Sequence, residues 1–194
     1  MTEDITPLDT QQKIQSPRRT FKELLPDYIV LILIAGFIVF LDIWTKNWVR
    51  TNIPFRGSWM PWEWLAPYAR IVNWHNSGAA FGLFQNLSMI FTVLAFVVTA
   101  VILWYFPQVP KEDWALRLAM SMQLGGAVGN LIDRLRFGVV TDFISIGNFA
   151  VFNVADSSIS VGVAVLLISI WVMERREKAD QRKEDDPVEA TPGD

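Results

Sequence analysis

Residues 87–106 run for twenty positions without a charge. At about 1.5 Å per residue that is enough to cross a hydrocarbon layer of about 30 Å. Residues 157–173 are also uncharged and end at Glu174-Arg175-Arg176, which reads as a stop at the membrane interface. Residues 114–132 are mainly apolar but hold Arg117, Gln123 and Asn130. They predict a third span with Arg117 near one end, where its long stem lets the charge reach the interface. Residues 29–41 offer only thirteen apolar positions, which predict a span if the helix continues through Asp42, Ile43, Trp44, Lys46, Trp48 and Val49. An apolar run of that length also fits a secretory leader. A polar stretch precedes it and no small-residue cleavage site follows, so it is expected to stay in the mature protein.

Four spans return the chain to its starting side. Eleven of the 17 Lys and Arg fall on the side that carries both termini, and the positive-inside bias puts that side in the cytoplasm. Residues 1–27 and 174–194 are polar or charged, with too little apolar surface to offset chain entropy. They are expected as disordered cytoplasmic tails flanking one membrane domain at 28–173. Trp59, Trp62 and Trp64, set among Pro61 and Pro67, predict an aromatic anchor at the opposite surface. The expected fold is all-α: a four-transmembrane-helix bundle.

Composition narrows the chemistry. The chain contains 52% hydrophobic residues and nine tryptophans, has no cysteine, and its one histidine is His75. That excludes disulfides and thiol nucleophiles, and without an HExxH pattern it gives no expectation of a metal or other cofactor. A net charge of −3 argues against a nucleic-acid partner.

Acids remain as the candidate chemistry. Asp42, Asp133, Asp142 and Asp156 all fall toward the leaflet away from the termini, and ionisable residues within spans mark functional sites. Gly125 and Gly129, spaced i, i+4, let another helix come close and bring its side chains near Asn130 and Asp133. Simpler roles exist for each acid. Asp133 and Arg134 can close a helix end as an ion pair, Asp42 and Lys46 can pair at i, i+4, and Asp156 can cap the fourth helix. The β-branched run after Gly138 reads as a short strand leading to Asp142. Yet two carboxylates brought together in partly apolar surroundings do not both ionise easily, so one keeps its proton. Such a pair can activate water against an amide carbonyl. Two other classes are compatible with buried acids: a proton-coupled transporter or channel, and a structural assembly factor that uses the glycines for packing.

In this arrangement the chain resembles the bacterial lipoprotein signal peptidases, or signal peptidase II. The matching blocks are Asp42-Ile43-Trp44-Thr45-Lys46, Asn76-Ser77-Gly78-Ala79-Ala80-Phe81-Gly82, the run from Gly125 to Arg134, Gly138-Val139-Val140-Thr141-Asp142-Phe143, and Phe152-Asn153-Val154-Ala155-Asp156. The resemblance implies an aspartic endopeptidase of the inner membrane, a four-helix bundle carrying a small extracytoplasmic β-sheet. Its substrate would be a prolipoprotein whose cysteine already bears diacylglycerol, cut just before that cysteine. Asp142 and Asp156 match the catalytic pair. Asp42, Lys46, Asn76, Asn130, Asp133, Arg134 and Asn153 match residues that support the site or contact substrate. The expected partners are the lipidated precursor and membrane lipid, with the enzyme acting as a monomer.

Overall fold

The computed structural model describes residues 21–78 and 87–185. Helices α1 (Phe21–Asn52), α2 (Ser88–Tyr105), α3 (Trp114–Phe137) and α4 (Val154–Asp185) carry most of the chain. Strands β1 (Ser58–Trp59), β2 (Ala69–Asn76) and β3 (Val140–Ile146) form one antiparallel sheet in the order β1-β2-β3. Two strands come from the α1–α2 connection and the third from the α3–α4 connection. The sheet therefore ties both connections together at one end of the helices. The strand expected after Gly138 is β3, and Asp142 lies within it opposite Trp74 of β2.

The protein is mostly helical, with three stretches long and apolar enough to cross a membrane: Leu25–Asn52, Ser88–Gln108 and Val154–Arg176. Their large side chains face outward, with Leu33, Phe37, Met89, Trp104 and Leu167 all exposed. Lipid, rather than a protein core, is the solvent that such surfaces fit. Helix α3 is not among the three. It packs against α1, α2 and α4, and its buried residues run from Arg117 through Gly125, Gly126 and Gly129 to Asp133. A helix enclosed by protein can hold polar groups that a lipid-facing helix cannot, which is why hydropathy reads α3 weakly.

Glycines set the spacing of this packing. A Cβ added at Gly125 would come within 2.9 Å of the Ala35 carbonyl oxygen on α1, and one at Gly126 within 2.6 Å of Ile159 on α4. At Gly129 it would lie 2.7 Å from Oδ2 of Asp42. The close approach foreseen from the i, i+4 pair is thus made by α1, while Gly126 admits α4. Gly129→Ala is expected to destabilise the protein by about 1–3 kcal/mol through overpacking, with Asp42 displaced. A thermal unfolding midpoint in detergent equal to that of the unsubstituted protein would contradict this.

Boundaries and one ion pair depart from expectation. Helix α1 starts at Phe21, and α4 continues to Asp185 where a disordered tail from 174 was expected. The extension carries an i, i+4 ion pair between Lys178 and Glu174, which supports a solvated helix. Residues 1–20 and 186–194 of the expected tails lie outside the described residues. Arg117 does not reach outward. Its Nη2 donates to Oδ1 of Asp27 at 2.8 Å, its Nη1 donates to the Val109 carbonyl at 2.9 Å, and its guanidinium stacks 4.4 Å from the Phe106 ring centroid. A planar guanidinium matched at its edge and its face is satisfied inside the bundle. From Asp27 to Lys46, α1 rises about 28 Å, so this ion pair lies at the opposite end of the bundle from the polar cluster around Lys46.

Candidate active site

Lys46 lies at the centre of that cluster and is fully buried, as is Asp42 one turn before it. The Lys46 ammonium donates to Asp42 Oδ2 at 2.6 Å and to Asn130 Oδ1 at 2.9 Å, and lies 3.6 Å from Asp133 Oδ2. Two of its donors thereby meet a carboxylate and an amide, and the charge faces a second carboxylate. Asp42 uses its other oxygen to accept the Ala155 backbone N–H at 3.0 Å, which links α1 to the first turn of α4. Asp133 accepts from Arg50 through Oδ1 and from the Thr141 N–H at 2.9 Å through Oδ2. Arg50 also donates to the Thr141 hydroxyl at 2.8 Å and stacks on Phe137. The end of α1 and the end of α3 are therefore both fastened to β3 one residue before Asp142.

The two remaining acids are held by amides. Asp142 accepts from Asn153 Nδ2 at 2.7 Å and from Asn76 Nδ2 at 2.9 Å. Asp156 accepts from Asn130 Nδ2 at 2.8 Å and from the Asn153 backbone N–H at 3.2 Å. Asn153 caps α4: its Oδ1 accepts the Asp156 N–H at 2.9 Å while Asp156 reaches back to the Asn153 N–H. This reciprocal capping box corrects the expectation that Asp156 is itself the cap. The same Asn153 amide group touches Asn130 Oδ1 at 3.1 Å. Asn130 and Asn153 thus stand between the Lys46 cluster and the two acids, relaying position without delivering a cation to them.

Asp142 and Asp156 line one cavity of about 480 Å³ together with Asn76, Asn130 and Arg134. Burial pushes the Asp142 carboxyl up to about 7, and the nearby charge of Asp156 adds to the rise against hydrogen bonds from Asn76 and Asn153. The native state therefore binds more protons than the unfolded chain between about pH 4 and pH 7, and over that window this group makes stability fall as pH rises. Burial beside a second acid thus favours the protonated form of Asp142 near neutral pH. Among the described residues, no three His, Cys, Asp or Glu side chains are grouped to hold a metal ion.

All nine residues singled out from the sequence gather at this end of the bundle, in differing relations. Asp42 and Lys46 form the i, i+4 pair as expected, and that pair also contacts Asn130. Asp133 pairs with Arg50 and Lys46 rather than with Arg134. Arg134 lines the cavity instead, its guanidinium 5.6 Å from the Phe91 ring centroid. Asn76 holds Asp142, and its Oδ1 accepts the Gly78 N–H at 2.9 Å. The rest of that motif, 79–82, lies outside the described residues. His75 stacks on Phe55 with ring centroids 4.5 Å apart. Sequence reading passed over Arg50 and Thr141. Arg50 had a usable signal, since it follows Lys46 by one helical turn on the same face of α1.

Comparison with known proteins bears on the family and the fold. The family model described as signal peptidase (SPase) II matches residues 34–172. A lipoprotein signal peptidase of Moorella thermoacetica is 38% identical over 141 residues, covering 70% of this chain and 88% of that protein. One from Caldanaerobacter subterraneus subsp. tengcongensis is 41% identical, covering 70% of this chain and 91% of its own. Two solved bacterial membrane enzymes share the fold. One has a TM-score of 0.68 at 26% identity and covers 84% of this chain and 94% of its own; the other has 0.65 at 30% identity, covering 73% and 92%. The family match spans most of the chain, including every residue of the buried polar cluster, and the chain belongs to the signal peptidase II family.

Proposed function

We propose that this chain removes signal peptides from diacylglyceryl-modified prolipoproteins, cutting before the lipidated cysteine, with Asp142 and Asp156 as the catalytic pair. The observation that carries the reading is the convergence of both carboxylates on one cavity, each held by amide donors. Asp156 takes a proton from water as the water oxygen attacks the scissile carbonyl carbon. Asp142 gives its proton to the carbonyl oxygen. When the C–N bond breaks, Asp156 protonates the departing cysteine nitrogen and Asp142 recovers a proton from the intermediate's hydroxyl, so the pair ends as it began. Asn130 and Asn153 aim the carboxylates, and Lys46 with Asp42 and Asp133 fixes the asparagines.

In this reading α3 is a fourth span, enclosed by the other three. The separation of the Asp27–Arg117 pair from the Lys46 cluster by about 28 Å along α1, close to a hydrocarbon thickness, supports it. Both termini are cytoplasmic and the dyad faces the outer side of the bacterial inner membrane, where a lipid anchor holds the scissile bond at the surface. The enzyme acts as a monomer and needs no cofactor. Acids gathered at one end rather than at midplane favour surface hydrolysis over ion transport.

Electrophoretic mobility assays of diacylated and unlipidated precursor side by side test the function. Cleavage of the diacylated form alone is expected; equal cleavage of both, or of neither, would refute it. A second expectation concerns pH. With Asp142 pushed up to about 7, kcat/KM should decline as pH rises through about 7, because the pair then loses its shared proton. A rate that stays level up to pH 9 would contradict a dyad that works half-protonated.

A further inference from the structure

A second cavity of about 340 Å³ adjoins the first and shares Phe91, Asn130, Arg134, Asp156 and Ile159 with it, so one groove runs from the dyad between α2, α3 and α4. Leu94, Val98 and Ala127 make the deeper walls apolar, and Gln123 is the polar residue among them. Gln123 lies two turns before Asn130 on α3, about 10 Å further along the helix. Its Nε2 is buried and has no hydrogen-bond acceptor among the described residues. A buried donor left unmade is costly, which makes its position in a groove leading to the active site informative. Gly162 of α4 makes room for it: a Cβ there would come within 3.1 Å of Gln123 Cγ.

We propose that the Gln123 side-chain amide, whose nitrogen is closed off from the groove in this structure, turns about its last torsion to donate a hydrogen bond to an ester carbonyl of the substrate's diacylglyceryl group. The proposal rests on the peptidase reading and adds a lipid-recognition residue to it. From the scissile nitrogen, the path through the cysteine Cα, Cβ and sulfur, two glyceryl carbons, the ester oxygen and its carbonyl carbon to the carbonyl oxygen is eight bonds. Extended at roughly 1.2 Å per bond, it reaches about 10 Å. That matches the helical distance to Gln123 from Asn130, which holds Asp156. An acyl chain continuing past the carbonyl meets only the apolar walls. The groove then recognises the lipid linkage as well as its greasiness, because the amide finds its acceptor only when the chains are ester-linked.

The test compares two precursors of identical peptide, one carrying ester-linked acyl chains and one ether-linked alkyl chains of the same length, cleaved by the full-length protein in lipid nanodiscs. The unsubstituted protein should show a KM about tenfold higher for the ether form at similar kcat, the usual scale for one unpaired buried donor. Gln123→Leu should raise KM for the ester form by about the same factor and treat the two precursors alike. Equal KM values for the unsubstituted protein would overturn this inference alone, and need no variant to fold. A selectivity that survives in Gln123→Leu would also overturn it. Cleavage of neither precursor by the unsubstituted protein would overturn the peptidase reading with it.

Discussion

Purified Asp142→Asn and Asp156→Asn proteins are expected to insert and fold yet to cleave lipidated precursor at least about a thousandfold more slowly than the unsubstituted protein. The shape change is small, since an asparagine fills the space of an aspartate. The chemical change is complete. In the proposed mechanism each substitution removes either the carboxylate that accepts the water proton or the carboxyl that donates to the carbonyl oxygen, and an amide does neither near neutral pH. Folding should survive because the bundle is fastened elsewhere, by Lys46, Asp42, Asp133 and Arg50. The two losses should not multiply: members of one catalytic unit fail together, so the double variant should be about as slow as either single one. Single-turnover cleavage measured with each variant checks this. Near-normal turnover by either single variant would remove the dyad from the account.

Lys46→Met is expected to have the largest structural effect, a loss of about 3–5 kcal/mol in unfolding free energy. Methionine replaces the stem well but leaves Asp42 and Asp133 facing each other in the buried cluster without the ammonium between them. The Asn130 carbonyl loses a donor as well, so the relay that aims Asp156 loosens. Adding Asp42→Asn should recover part of the stability, because one uncompensated acid is removed with its cation. Unfolding in detergent micelles measures both. A Lys46→Met protein within about 1 kcal/mol of the unsubstituted protein would contradict the reading of Lys46 as the cluster's anchor.

Some of this architecture is written plainly in the chain. A charge-free run such as 87–106 has no comfortable place in water, so α2 follows from its composition, and the uncharged 157–173 yields most of α4 for the same reason. The gathering of acids at one end was legible because position along a helix converts to depth. The glycine pair at 125 and 129 predicted a close neighbour, though not that the neighbour is α1 or that Asp42 itself fills the gap above Gly129.

Other features depend on contacts that a linear reading does not hold. Arg117 looks like an interfacial residue until Asp27, ninety positions away, is brought beside it. Helix α3 reads weakly because hydropathy assumes lipid on all sides, whereas α3 packs against α1, α2 and α4. Asp156 reads as a cap until the partner three residues earlier, Asn153, is seen to take the capping position. The Asp133–Arg134 pairing is attractive in sequence, yet neighbouring residues on a helix point in different directions, and Asp133 turns toward α1 instead. The orphaned amide of Gln123 has no signature in sequence at all, since its meaning comes from the apolar walls around it.

Asp142 is expected to retain a proton at near-neutral pH because of its burial and the nearby charge of Asp156. Infrared difference spectra across about pH 5 to pH 9 decide this, by following the carbonyl stretch of a protonated carboxyl. A band that fades with a midpoint near 7 is expected in the unsubstituted protein and should be missing from Asp142→Asn. A spectrum with every carboxyl already ionised at pH 5, or a band that persists unchanged in Asp142→Asn, would contradict it.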